Sequence, residues 1–281
     1  MRFLQRADPA AITEGSLVRA LLSLTMPMLV GAVLQNVQSL IDLFWVGRLG
    51  PAAVASVAMS ATILMLLYPM LMGLSTGTVA LVSRAVGAGR FDEASAASAQ
   101  SLFLSLVLGG LSAVAGWFAA GPLFRLLGAE PDVAKDGIVY LRIFLAGSFT
   151  VYVLFIGNAA LQGAGDAHTP MYVMGAANLL NIVLDPLLIF GIGPFPRMGV
   201  AGAAMATVIS QALAASMALR VLLRGHSNVH ARLAYWKPDP GMAWRILKIG
   251  IPGSGQMLSR SLMSLVLMGI GFVVMYFAAR Y

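Results

Sequence analysis

The amino-acid sequence predicts an all-α polytopic membrane protein. It reads as a six-helix amino-terminal lobe followed by the first helix of a second, parallel-repeat lobe. Three observations predict this. Of 281 residues, 59% are hydrophobic and only 10% charged, and the mean hydropathy is +0.86, far more apolar surface than a soluble domain of this size needs. The apolar residues fall in seven runs, each longer than the ~20 residues that cross a bilayer. The 18 Lys and Arg residues, against 11 Asp and Glu, cluster between those runs, where they act as topology signals rather than as a nucleic-acid surface.

The elements follow in order. Residues 1–16 are polar and mixed and read as a cytoplasmic arm without a signal peptide. The first span, 17–46, holds Pro27 and ends near Asp42; Gln35, Gln38, Ser39 and Asp42 share a narrow arc of it. The second span, 53–83, carries no charge, and Gly73 and Gly77 are spaced for close helix contact. A third uncharged span covers 94–124. The fourth, 137–161, brings Tyr140, Asn158 and the adjoining Gln162 near one face. The fifth runs over 169–192 and the sixth over 200–223, where Thr207 and Gln211 lie one turn apart. Residues 17–224 thus form the six-helix lobe, 225–242 a polar cytoplasmic linker, and 243–281 the seventh span.

The fifth span carries the most informative stretch. An aspartate in mid-membrane costs roughly 2.5–3.5 kcal/mol on insertion scales, so Asp185 marks a functional position. Asn178, Asn181 and Asp185 fall at i, i+3 and i+7, on one face. Pro186 cannot donate a hydrogen bond, which frees the carbonyl of Ile182. A carboxylate, two amides and a free carbonyl make an oxygen-rich face suited to a small hard cation or a proton.

Several functions are excluded or disfavoured. There is no cysteine, hence no disulfide, thiolate metal site or cysteine nucleophile. His226 and His230 have helical ligand spacing but no third ligand. Gly163-Ala-Gly165 follows a membrane helix rather than a strand, and Asp166 lacks a paired Gly-x-Gly-Asp partner, so neither nucleotide binding nor an intramembrane enzyme is supported. No ATP-binding motif is present, so transport would draw on an ion gradient. Arg260, inside the seventh span, is read as a snorkelling or helix-pairing residue.

More basic residues fall on the side of residues 1–16, among them Arg84, Arg90, Arg224, Lys237, Arg245 and Lys248, than on the other, and this places the amino terminus in the cytoplasm of a multi-pass plasma-membrane protein. Leu22, Pro27, Ser39 and Leu40 align with Leu247, Pro252, Ser264 and Leu265 at one constant offset. Six spans separate the copies, so both helices enter from the same side, as in transporters built of two parallel halves. On this reading most of the second half lies beyond Tyr281 and is supplied in cis or in trans.

Six motifs carry a family resemblance: Thr25-Met-Pro27; the run from Asp42 through Trp45-Val-Gly-Arg-Leu-Gly-Pro51 to Ala55; Ser83-Arg-Ala-Val-Gly-Ala-Gly89; Gln162-Gly-Ala-Gly-Asp166; Asn181-Ile-Val-Leu-Asp-Pro186; and Gly199-Val-Ala-Gly-Ala-Ala-Met-Ala-Thr207. In this order they resemble the multidrug and toxic compound extrusion (MATE) transporters, closest to the DinF-like branch in having both Asp42 and Asp185. The resemblance implies a twelve-helix antiporter, not an enzyme. It would export small organic cations in exchange for H+ or Na+, with no cofactor beyond that ion. It implies that Asp42, Asn181, Asp185 and Thr207 bind the coupling ion, and would be the metal ligands if that ion is sodium. Tyr140 and Asn158 match polar residues of the substrate cavity, to which Gln35, Gln38, Gln162, Asn178 and Gln211 are added from their positions on the polar faces. A lipid-linked flippase of the same superfamily is the alternative, as is a half-length chain that transports only with a partner lobe. The two carboxylates are expected to titrate as a coupled pair.

Overall fold

In the computed structural model, described over residues 17–65, 67–225, 229–231 and 233–278, the chain is helical throughout, with no strand among the described residues. The nine α-helices described are α1 (Leu17–Gly47), α2 (Pro51–Met65), α3 (Tyr68–Gly87), α4 (Phe91–Leu126), α5 (Pro131–Ala146), α6 (Ser148–Gly163), α7 (His168–Phe190), α8 (Val200–Arg224) and α9 (Pro240–Ala278). A short 3-10 turn, Leu233–Trp236, precedes α9. The arm expected at 1–16 lies outside the described residues. Among the described residues five helices are long and apolar enough to cross a membrane, or six when the bent pair α5–α6 is one span. The protein is an all-α polytopic membrane protein.

Two predicted spans are interrupted. The second, expected to run unbroken over 53–83, is divided into α2 and α3, with Pro69 in the first turn of α3. Proline disfavours the helical conformation in the residue before it and offers no N–H to the preceding turn, so the helix restarts there. The fourth bends by 49° between α5 and α6. Gly147 sits at the corner, so close to Val208 that a Cβ would clash with its side chain. The Thr150 hydroxyl donates to the Gly147 carbonyl (2.7 Å), and Ser148 Oγ donates to Gly109 O on α4 (2.7 Å). These bonds satisfy backbone carbonyls at and beside the corner, which in a membrane could not turn to water.

Lipid gives helices no hydrophobic reason to associate, so close packing of small residues must hold them. The contact of α3 with α9 shows this. Gly73 and Gly77, four residues apart on α3, meet Ile246, Gly250 and Ser254 at the same spacing on α9. A Cβ on Gly77 would fall on the Ile246 carbonyl, and one on Gly73 on the Ser254 hydroxyl. The expectation of close contact at this pair of glycines is met, and the partner is the seventh span. The main core lies among α3, α4, α6, α7 and α8, with Leu102, Leu154, Ile156, Leu161 and Leu222 fully enclosed.

The linker expected to be a solvated connection is instead docked on the start of α4. The Gln100 side-chain amide donates to the carbonyls of Tyr235 (2.8 Å) and Lys237, while its Oε1 accepts from the Asp239 N–H (3.2 Å). The His230 N–H donates to Ser95 Oγ (3.0 Å), and Tyr235 Oη to Asp92 (3.2 Å). Glu93 pairs with both Arg90 (2.8 Å) and Arg245 (2.9 Å). Val229 and Ala231 are fully buried. Buried backbone needs its hydrogen bonds met, and Gln100 meets three of them from one side chain.

Gly77→Val is expected to lower stability by about 1–3 kcal/mol, the usual cost of overpacking. Gly110→Ala, where a Cβ meets open space, should be neutral or slightly stabilising. Thermal unfolding of the two variants in one detergent checks the contrast.

Candidate functional site

The polar faces of α1 and α7 meet each other. Gln38 Nε2 donates to Asn181 Oδ1 at 2.8 Å. One turn further along both helices, the carboxyls of Asp42 and Asp185 come within hydrogen-bonding reach of each other. The helices therefore run in the same sense, with 38 opposite 181 and 42 opposite 185. One turn earlier, Gln35 and Asn178 face a common cavity. Both helices carry the same triplet at i, i+3 and i+7: Gln35, Gln38 and Asp42 on α1, and Asn178, Asn181 and Asp185 on α7. That matched spacing brings amide to amide and acid to acid.

Asn181 is the hub. It is fully buried, as is Asp185. Its carbonyl oxygen accepts from Gln38, and its NH2 group points to Asp185 Oδ1 (3.4 Å) and Thr207 Oγ1 (3.5 Å). Thr207 on α8 in turn donates to the carbonyl of Ala203 (3.0 Å). One oxygen of each acid, Asp42 Oδ1 and Asp185 Oδ2, is buried without a partner. Two carboxylates in contact repel unless a cation lies between them, and an orphaned buried oxygen asks for the same thing. Asp42, Asp185, Asn181 and Thr207 together offer hard oxygen donors on three helices, which fit a proton or a small metal cation. Among the described residues no cluster of three His, Cys, Asp or Glu exists, so any metal here would rely on the amide and hydroxyl oxygens as well.

Around the acids the packing is apolar. Val46, Ala53, Ile189, Val200 and Ala203 are buried there, with Tyr140 and Trp45 packed against them. Tyr140 is close enough to feel both carboxylates and stacks on Phe144 (6.3 Å between centroids). Trp45 holds Phe190 edge to face at 5.9 Å, and its indole N–H is buried without a partner.

Two cavities, each of about 420 Å3, open beside this site. The first is lined by Gln35, Gln38, Tyr152, Asn178, Ser210 and Gln211 among others; the second by Pro27, Gln35, Asn36, Asn158 and Gln162. Gln35, Tyr68, Phe155 and Met174 border both. Tyr68 and Phe155 meet edge to face across 6.4 Å. Among the described residues no charged side chain lines either cavity.

The MatE family model matches residues 27–187, which include most of α1, the paired acids and most of α7. The chain belongs to the MatE family. It is 32% identical over 269 residues to the probable multidrug resistance protein YoeA of Bacillus subtilis, covering 94% of this chain and 58% of that protein. It is 32% identical over 220 residues to a FAD transporter of Shewanella oneidensis, covering 78% and 48%. A solved outward-facing multidrug resistance MATE transporter of the MOP superfamily superposes with a TM-score of 0.86 at 31% identity, over 95% of this chain and 59% of that one. The chain thus spans about half to three fifths of the length of these relatives.

Within this MatE fold the expected residues divide into two groups. Asp42, Asn181, Asp185 and Thr207 come together. Gln35, Gln38, Asn178 and Gln211 line the first cavity, and Gln35, Asn158 and Gln162 the second. Tyr140 lines neither and belongs with the acids. The acids do not line the cavities either, although both are expected from the sequence to face one; Gln38 lies between, as a cavity wall on one side and a donor to Asn181 on the other. The Tyr68–Phe155 pair bordering both cavities is not anticipated by the sequence reading. Its signal is the helix break beside Pro69, at which Tyr68 opens α3. Asp166, isolated in the sequence, serves the fold: it accepts from both the N–H (2.9 Å) and the hydroxyl (2.6 Å) of Thr169 in the first turn of α7.

Asn181→Ala is expected to cost about 1–3 kcal/mol, because it strands buried groups of Gln38 and Asp185. A thermal melt of the variant beside the unaltered protein measures it.

Proposed function

We propose that this chain forms the amino-terminal six-helix lobe, and the first helix of the second lobe, of a secondary active antiporter. It exports small organic cations in exchange for H+ or Na+. The single observation that carries the reading is the juxtaposition of a buried carboxylate, Asp185, and the half-buried Asp42 in contact with it, with two cavities whose described lining holds no basic side chain. Such a site attracts positive charge and holds it in competition: a coupling ion between the acids neutralises the lobe, and an organic cation in the cavity is favoured while they are free. Asp42, Asn181, Asp185 and Thr207 are the coupling-ion residues, and they supply the oxygens if that ion is sodium. The amides Gln35, Gln38, Asn158, Gln162, Asn178 and Gln211, with the aromatic pair Tyr68 and Phe155, receive the substrate.

Pro27 in α1 and Pro186 in α7 lie on the two helices that carry the acids. Each removes a backbone hydrogen bond, so each is a place where the helix can bend between states. The second lobe is provided by the rest of the polypeptide or by a partner chain, and the amino terminus is cytoplasmic. A relative named a FAD transporter raises an anionic dinucleotide as an alternative, and a lipid-linked flippase would carry a pyrophosphate. Both need cationic side chains facing the cavity, which the described lining lacks.

Asp42→Asn and Asp185→Asn are each expected to reduce ethidium efflux from a drug-sensitive host to the level of cells lacking the transporter, while the protein still reaches the membrane fraction. Normal efflux by Asp185→Asn would sink the mechanism. Competition separates the substrate classes: ethidium transport should be inhibited by tetraphenylphosphonium and indifferent to FAD and to anionic lipid headgroups.

A further inference from the structure

Gln38 is a side chain that the cavity and the acids share. It lines the first of the two cavities and is 7% exposed. Its NH2 group is committed to Asn181 Oδ1, which leaves its carbonyl oxygen as the group offered to the cavity. Asn181 in turn shows its NH2, not its oxygen, to Asp185 and Thr207. That orientation suits a site without a metal cation, because an amide NH2 repels one and only the carbonyl oxygen can bind it.

We propose that Gln38 and Asn181 form a two-position amide relay that converts sodium binding at the acids into a change of cavity chemistry. When sodium binds between Asp42 and Asp185, Asn181 turns its Oδ1 toward the ion. Its NH2 then faces Gln38, and two NH2 groups cannot hydrogen-bond to each other. Gln38 must turn as well, so that its oxygen accepts from Asn181 and its NH2 faces the cavity. The cavity wall thereby changes from an acceptor, which binds the N–H groups of an organic cation, to a donor, which repels them. An amide exchanges O for N with almost no change of shape, so the relay needs no repacking of the fully buried surroundings of Asn181. Gln38 is a positioning residue on this account: it does not bind sodium. The inference rests on the antiport reading above, with sodium as the ion.

The test uses the whole gene product in lipid nanodiscs, with ethidium as the organic cation and sodium chloride compared with potassium chloride. In the unaltered protein, sodium should weaken ethidium binding by about 5- to 150-fold, the usual range of coupling between two sites. Gln38→Met keeps the length of the side chain but cannot serve as an amide relay. In it, sodium binding followed by calorimetry should stay as tight as before or tighten, because Asn181 Oδ1 is no longer tied back. The effect of sodium on ethidium should fall severalfold, to the part that neutralising the acids supplies without the relay. Gln38→Leu is measured beside it, so that a folding defect peculiar to one substitution does not decide the result. Full sodium sensitivity in both variants overturns the relay, as does loss of sodium binding together with coupling, which marks a merely structural residue. An unaltered protein whose ethidium affinity ignores sodium also overturns it. None of these three results touches the efflux reading, which is judged by Asp185→Asn; failure of the unaltered protein to bind ethidium at all defeats both.

Discussion

The contact of Asp42 with Asp185 is the constraint around which this lobe is arranged. Placing two carboxyls together inside a membrane protein is costly twice over, once for desolvation and once for repulsion. The fold accepts that cost at one place only among the described residues, and surrounds it with groups that are each held from a second side. Asn181 bridges Asp185 to Gln38, Thr207 is anchored to its own helix through Ala203 O, and Tyr140 packs against the apolar shell. The oxygens left over, Asp42 Oδ1 and Asp185 Oδ2, are what a cation would complete. On the antiport reading, a cation that completes them would bias the conformation of the lobe.

The second feature is the separation of charge from cavity. The acids are enclosed in an apolar shell, and the cavities present only neutral amides, hydroxyls, aromatics and aliphatic side chains. A flexible, uncharged lining can adapt to cations of different shape. On the proposed reading, attraction for positive charge would reach the cavity through low dielectric without a direct salt bridge, so breadth of substrate and strength of charge selection need not conflict.

How much of this is legible in the sequence varies with the range of the interaction. Long uncharged apolar runs give away membrane helices, and α1, α7 and α8 fall within a few residues of their expected bounds. The divisions at Pro69 and Gly147 escape a reading by hydropathy because hydropathy continues unbroken through both; only the local chemistry, a proline and a Gly-Ser pair, marks them. Asp185 and its amides are legible because polar groups in mid-membrane need a reason to be there. That Gln38 reaches Asn181 rather than simply facing the cavity depends on the register of two helices 143 residues apart in sequence. The repeated i, i+3, i+7 triplet is the available clue to that register. The docking of the linker is the least legible part, since Gln100 binds backbone groups of residues 235–239, and backbone carries no sequence signal.

That docking bears on how the two halves would move. The helix α9 begins a second repeat by sequence, yet its first half is fastened to the first lobe in three ways. Arg245 pairs with Glu93, the preceding residues hang on Gln100, and Ile246, Gly250 and Ser254 are seated against Gly73 and Gly77. Backbones in hard contact slide poorly, because every ångström of shift meets another side chain. The beginning of α9 should therefore travel with α3 and α4 rather than with whatever follows it. Pro252 lies inside α9 within this seam, between Gly250 and Ser254, where the missing hydrogen bond lowers the cost of bending. A bend there would carry Ser254 off Gly73 while leaving the linker and the seats of Ile246 and Gly250 undisturbed.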